Sequence, residues 1–135
     1  MNRARGFSMI ELMIVLVIIS ILAAIAIPSY RQYMLKGHRS EATRALQDIA
    51  SRQENYYFSN NEYADNLGDL GATSSIAGSY YTIAIASASS TDYEITAAAR
   101  GTQTQDGACT AFALHRSGAK GSSGSGATEI CWGGH

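Results

Sequence analysis

Glu11 makes the strongest chemical demand of any residue in the chain. From Leu12 to Ile27 the sequence reads Leu-Met-Ile-Val-Leu-Val-Ile-Ile-Ser-Ile-Leu-Ala-Ala-Ile-Ala-Ile, in which only Ser20 is polar and nothing is charged. A carboxylate at the edge of such a stretch costs roughly 2.5–3.5 kcal/mol at mid-bilayer, somewhat less near the end, and usually has a partner. A cut between Gly6 and Phe7 would create an α-amine, positive below a pKa near 8, with Glu11 in the first turn of the helix that begins there. The partner is then either the chain's own amine or that of a neighbouring subunit. In the second case the charge pair sets the axial register of packed apolar helices.

The remaining reactive side chains are sparse. Cys109 and Cys131 are the only cysteines, and an even pair in a small exported domain reads first as one disulfide. Two buried free thiols are the plainer alternative, and a zinc site would need His115 or His135 without any close Cys-x-x-Cys spacing. The sequence therefore predicts no metal and no cofactor. His38 falls in a helical stretch and His115 at a strand end; pairing either with one of the many Ser and Asp residues into a triad would be arbitrary, so no catalytic residue is assigned and the chain is read as a non-enzyme.

The elements that hold these groups follow from periodicity. Phe7 to Ile27 is 21 residues, enough at about 1.5 Å per residue to cross a hydrocarbon core of about 30 Å. A cleavable secretory signal, cut after Ala24-Ile25-Ala26, is a second reading, but such a signal gains nothing from Glu11. Beyond Pro28, Leu35, Ala42, Ala45, Leu46, Ile49, Gln53 and Tyr56 recur at helical spacing, which predicts one long helix bent at Pro28 and running from about Phe7 to about Tyr57. Arg39, Glu41, Arg44, Asp48, Arg52 and Glu54 alternate in sign on what reads as its solvated face; pairing between subunits is the other use such charges could have.

Residues 58–79 are turn-rich and read as an irregular connection. Tyr80–Ala86, Asp92–Ala98 and Cys109–His115 alternate as strands, with Tyr81, Ile83 and Ile85 on one face and Tyr93, Ile95 and Ala97 on the matching one. The predicted fold is α+β, a helix laid on an antiparallel meander. The run Gly118 to Ser125-Gly126 is too rich in glycine and serine to pack by itself. A crosslink between the cysteines would pin it, restricting the unfolded chain by roughly 3 kcal/mol.

Gly6-Phe7-Ser8-Met9-Ile10-Glu11-Leu12-Met13-Ile14-Val15 resembles the processing motif of type IV pilins of the type IVa class, and Pro28-Ser29-Tyr30 sits where those proteins carry a helix-kinking proline. The resemblance implies a leader over residues 1–6, cleavage by a prepilin peptidase between Gly6 and Phe7, N-methylation of Phe7, and a role for Glu11 in methylation or docking. It further implies a membrane and filament-core helix over residues 7–29, an amphipathic half over 30–57, and a globular head over 58–135 with an αβ loop and a C-terminal loop closed by Cys109 and Cys131. Gln105-Asp106-Gly107-Ala108-Cys109 and Cys131-Trp132 are similar, more narrowly, to PilE-type minor pilins.

The implied function is that of a structural subunit, major or minor, of a type IV pilus serving adhesion, twitching motility or DNA uptake. Its partners would be other pilin subunits, the peptidase and the inner-membrane assembly machinery. The implied location is the bacterial inner membrane, crossed once with the head periplasmic, and then the cell-surface pilus. The basic residues flanking the apolar segment, Arg3 and Arg5 against Arg31, Lys36, Arg39 and Arg44, do not orient it by themselves.

A pseudopilin of a type II secretion system is the alternative. Glu129 is the only acid after Asp106, too few oxygen ligands for the calcium site that the major pseudopilin's resemblance would call for. DNA is a third partner to weigh. The formal charge is −1, and −3 with 8 basic against 11 acidic residues once Arg3 and Arg5 leave with a leader, so phosphate neutralisation by the whole molecule is excluded as a general mode. Arg100, Arg116 and Lys120 are the cations that could contact phosphates, ordinary solvated surface charge being the simpler account of them.

Overall fold

The computed structural model describes residues 6–133; Arg3 and Arg5 of the expected leader, and His135, lie outside them. Among the described residues seven elements occur: α1 (Met9–Asn60), β1 (Tyr81–Ala88), β2 (Tyr93–Ala99), a 3-10 turn η1 (Gly101–Gln105), β3 (Ala111–His115), β4 (Lys120–Ser123) and α2 (Thr128–Cys131). Two compact units divide the chain, residues 1–34 and residues 35–135.

In the first unit α1 is continuous through Pro28. Proline has no N–H to offer the carbonyl four residues earlier, and the neighbouring Ser29 donates its hydroxyl to Ile25 O at 3.0 Å. Ser20 likewise donates to Leu16 O at 2.7 Å, so its hydroxyl is satisfied inside an apolar stretch without a partner from elsewhere.

In the second unit, the stripe Leu35, Ala42, Ala45, Leu46, Ile49 and Gln53 is buried as its spacing predicts, with Tyr56 half-buried. The helix continues three residues past Tyr57 and ends where Asn61 takes a left-handed conformation (φ 56°), its N–H bonded to Tyr57 O. Asparagine tolerates that region and so stops the helix. Gln53 holds the connection that follows: its amide donates to Ala64 O (2.8 Å) and accepts from Ala64 N–H (2.9 Å), both buried. Arg52 adds bonds to Leu70 O and Gly71 O.

The sheet is antiparallel in the order β1-β2-β3-β4. Tyr81, Ile83, Tyr93, Ile95, Ala97, Phe112 and Leu114 form its buried face and share one cluster with Ala42, Ala45, Leu46 and Ile49 of α1. A register shift between Ile85 and Ser87 leaves Ile85 only half-buried, the one departure from the expected alternation. β1 does not stand as an open edge throughout, because Ile83 N–H bonds Ser74 O of the connecting loop.

Two features depart from the sequence reading. Part of the glycine- and serine-rich run forms strand β4 against β3, with Gly121 opposite Ala113 and Ser123 opposite Ala111. Small residues suit this edge: a Cβ on Gly121 would lie 3.4 Å from that of Ala113, and Trp132 Nε1 donates to Gly121 O at 2.9 Å. Arg39 is the second. Expected on the solvated face, it is 7% exposed and bonded to Asp106; it follows Leu35 by four residues and precedes Ala42 by three, which places it on the buried stripe.

Candidate functional site

The first unit presents its chemistry at the surface. Phe7 is 80% exposed, and the large apolar side chains from Met9 to Ile27 are exposed along α1. Glu11 lies in the first turn of that helix, where the unpaired backbone N–H groups favour a negative charge. Gly6 and Phe7 precede the helix in irregular backbone, both exposed. The helix is long and apolar enough to cross a membrane by length and composition.

In the second unit Cys109 and Cys131 are joined by a disulfide and both are buried. The bond ties α2 to the chain entering β3. Gly124 lets the loop between them close: its φ is +122°, and a Cβ there would sit 2.6 Å from the carbonyl carbon of Ala108, so only glycine fits. Gly126 N–H then bonds Ala108 O at 2.8 Å.

The segment just before Cys109 is fastened to α1 by a buried polar cluster. Arg39 Nε and Nη2 donate to Asp106 Oδ2 and Oδ1, each at 2.7 Å. Gln103 Nε2 donates to Leu35 O (3.0 Å) and to the Tyr81 hydroxyl (2.9 Å), and its carbonyl accepts from His38 Nδ1 at 3.0 Å. His38 in turn stacks on Tyr80, ring centroids 3.5 Å apart. The hydrogen bond to Asp106 raises the Arg39 pKa against the opposing effect of burial. Burial, with the nearby Asp106 charge, pushes the Tyr81 hydroxyl up to about 12. His38, assigned no catalytic role from sequence, serves here as a structural group.

The three cations weighed as phosphate contacts are divided. β2 and β3 pair with Glu94 opposite His115 and Ala98 opposite Ala111, so Arg100 lies at one end of the sheet and Arg116 and Lys120 at the other. Arg100 is committed to Ser79 O and Gly78 O. Arg116 donates from Nε to the Tyr63 hydroxyl at 2.7 Å and lies over that ring; the bond holds its pKa up. Lys120 Nζ is 5.2 Å from the centre of the Trp132 ring. Among the described residues no group of three or more His, Cys, Asp or Glu side chains is placed to hold a metal ion.

An exposed apolar helix with one carboxylate in its first turn, followed by a helix-and-meander head closed by a disulfide, has counterparts among known proteins. Residues 1–27 match the prokaryotic N-terminal methylation motif, and residues 28–113 match the family described as "Type IV minor pilin ComP, DNA uptake sequence receptor". The chain belongs to the type IV pilins.

Relatives of this pilin agree. The type IV wide pilus major component PilA4 of Thermus thermophilus is 40% identical over 93 residues, 67% of this pilin and 71% of PilA4. Fimbrial protein EcpC of Eikenella corrodens is 35% identical over 98 residues, 73% of this pilin and 64% of EcpC. The type IV major pilin protein PilA of Myxococcus xanthus is 41% identical over 69 residues, 51% of this pilin. The pilin spans only 31% of that Myxococcus protein and 46% of a fimbrial protein of Neisseria meningitidis. The family is a structural one.

Sequence reasoning missed Arg39, Gln103 and Asp106 as a unit. The available signal was Arg39 itself, a charge at a position the buried stripe claims.

Proposed function

We propose that this pilin is a structural subunit of a type IV pilus, carried into the filament by the helix after Phe7. One observation supports the reading above the rest: an exposed apolar surface from Phe7 to Ile27 begins with a single carboxylate, Glu11, in the first helical turn. Residues 1–6 are the leader. Prepilin peptidase cuts between Gly6 and Phe7, and the Phe7 amine is methylated. Residues 7–29 hold the precursor in the bacterial inner membrane, with α1 bending at Pro28, while residues 30–57 serve as the spine of a head completed by residues 58–135 on the periplasmic side. The assembly machinery then moves the subunit into a surface filament.

Mechanistically, cleavage leaves a positive α-amine on an apolar helix, and Glu11 supplies the negative charge that such a group requires away from water. A neighbouring subunit's amine meets Glu11 when two helices pack in one register, so misaligned subunits leave two charges unpaired. Tandem mass spectrometry of the N-terminal peptide from sheared filaments tests this. A peptide beginning at N-methylated Phe7 is expected. A chain processed at Phe7 but confined to membranes would instead indicate a pseudopilin of a secretion system, and a start at Ile27 would mean ordinary secretion.

A second reading, as a DNA-uptake receptor within the filament, is favoured by the match of residues 28–113 to the ComP family. Arg116 and Lys120 flank one hairpin, with the half-buried Trp132 beside Lys120, a place where phosphates could be met and a base stacked. Their joint replacement by Glu should abolish DNA retention by the pilin at low salt, whereas undiminished retention would remove this role.

A further inference from the structure

Where the apolar stretch ends, the exposed side chains change type. Tyr30 and Tyr33 are 66% and 74% exposed, and the exposed Met34 completes their set. Spaced i, i+3 and i+4, the three lie on one face of α1, with exposed Arg31 beside it. All belong to the first unit, and neither tyrosine is part of the core of the second.

Two exposed tyrosines side by side on a helix need an environment that takes an aromatic ring and leaves the hydroxyl wet. The headgroup zone of a bilayer does both, which is why tyrosine and tryptophan collect there. The helix rise puts them at that depth. If Phe7 to Ile27 fills a hydrocarbon core of about 30 Å, Tyr30 lies about 4.5 Å and Tyr33 about 9 Å beyond its edge. A headgroup layer is roughly 5–7 Å thick on each side, so the Tyr30 backbone is within it and that of Tyr33 about 2–4 Å beyond it, a gap that the Tyr33 side chain can close by leaning towards the N-terminal end of the helix. Arg31 can lay its alkyl stem along the same zone with its guanidinium among the phosphates.

We propose that Tyr30 and Tyr33, flanked by Arg31, form an interfacial belt that binds the phospholipid headgroup layer on the far side of the membrane from Phe7 and fixes the depth of the subunit before assembly. The proposal rests on the reading of α1 as a membrane anchor, and the occupant of this face is the lipid surface continuous with that anchor. Leaving the membrane for a filament then requires the belt to be pulled from the headgroups as well as the apolar helix from the acyl chains.

The test places tryptophan as a depth probe in the full-length chain, in a Trp132→Phe background, reconstituted into phospholipid vesicles. Tyr30→Trp, Tyr33→Trp and Leu16→Trp are compared using lipids that carry a quencher at the headgroup or deep in the acyl chain. The belt predicts at least twofold stronger quenching from the headgroup label at positions 30 and 33, and the reverse order at position 16. Deep quenching at 16 with no lipid quenching at 30 and 33 would overturn the belt alone and turn the face towards contact with another subunit. Equal or deeper acyl-chain quenching at 30 and 33 would also overturn it. Absence of quenching at 16 would overturn the anchor, and the belt with it.

Discussion

Arg39 and Asp106 are 67 residues apart in sequence and joined by two hydrogen bonds of 2.7 Å, with both side chains buried. This pair, with Gln103 bridging to Leu35 O and Tyr81, fastens the η1 turn and the irregular segment that leads into Cys109 to the α1 spine. Burial of both side chains weakens solvent screening of the pair, and among the described residues neither has another salt-bridge partner.

Removing one member is therefore costly. Asp106→Ala leaves a buried guanidinium and should lower stability by about 3–5 kcal/mol, whereas the double change Arg39→Met, Asp106→Leu should recover most of the loss. Urea unfolding of the detergent-solubilised chain, followed by the fluorescence of Trp132, measures both. Equal losses in the single and double variants would mean that the pair contributes through shape rather than charge.

The disulfide acts on the same region by a different route. Both sulfurs are buried and the cysteines are 22 residues apart; closing a ring of that size restricts the unfolded chain by roughly 3 kcal/mol. Cys109→Ser with Cys131→Ser should lower stability by about that amount. The losses should be concentrated in β4 and α2, which hydrogen exchange would show as faster amide exchange at Lys120–Ser123 and Thr128–Cys131 than in β2. Uniform acceleration across the sheet would contradict a local clamp.

The helical stripe and the two-residue alternation of Tyr81, Ile83, Tyr93 and Ile95 report burial through local spacing, and local spacing is all a periodicity contains. The place of Glu11, in the first turn of an exposed apolar helix, was equally legible, because an acid in an apolar run is anomalous by itself. Arg39 was not, since its partner is distant in sequence and a charge on a helix ordinarily faces water. β4 was hidden for another reason: Gly121, Ser122 and Ser123 have poor strand propensity, and their strand is held by β3, Trp132 and the Ser122–Thr128 bond rather than by their own preference.

Alkaline pH should find a defined weakness. Tyr81 and Tyr93 are buried, and burial pushes both hydroxyls up to about 12. For Tyr93 the nearby Glu54 charge adds to burial. Unfolded tyrosine ionises near 10, so between about pH 10 and 12 the unfolded state holds fewer protons than the folded one and stability falls as pH rises. This stabilisation is fully present below pH 10 and is lost through about pH 12. Tyr81 and Tyr93 should therefore be the last of the eight tyrosines to form phenolate in an ultraviolet titration, together with unfolding. Replacing Tyr93 by Phe should leave one late group and a shallower decline.

Glu11 lies in the first unit, outside the residues that build the core of the head, so its assembly role can be tested on its own. Glu11→Gln preserves size and removes the charge. If an incoming helix must pair its amine there, the variant leaves that amine unpaired in an apolar setting, a loss of several kcal/mol that corresponds to incorporation falling on the order of a hundredfold. Membrane retention should not fall, because a neutral side chain is cheaper in the bilayer than a carboxylate. The measurement is the ratio of variant to parent pilin in sheared filaments from cells expressing both, alongside the membrane pool. A normal ratio would remove Glu11 from assembly, and a depleted membrane pool would place the defect before it, in insertion or stability.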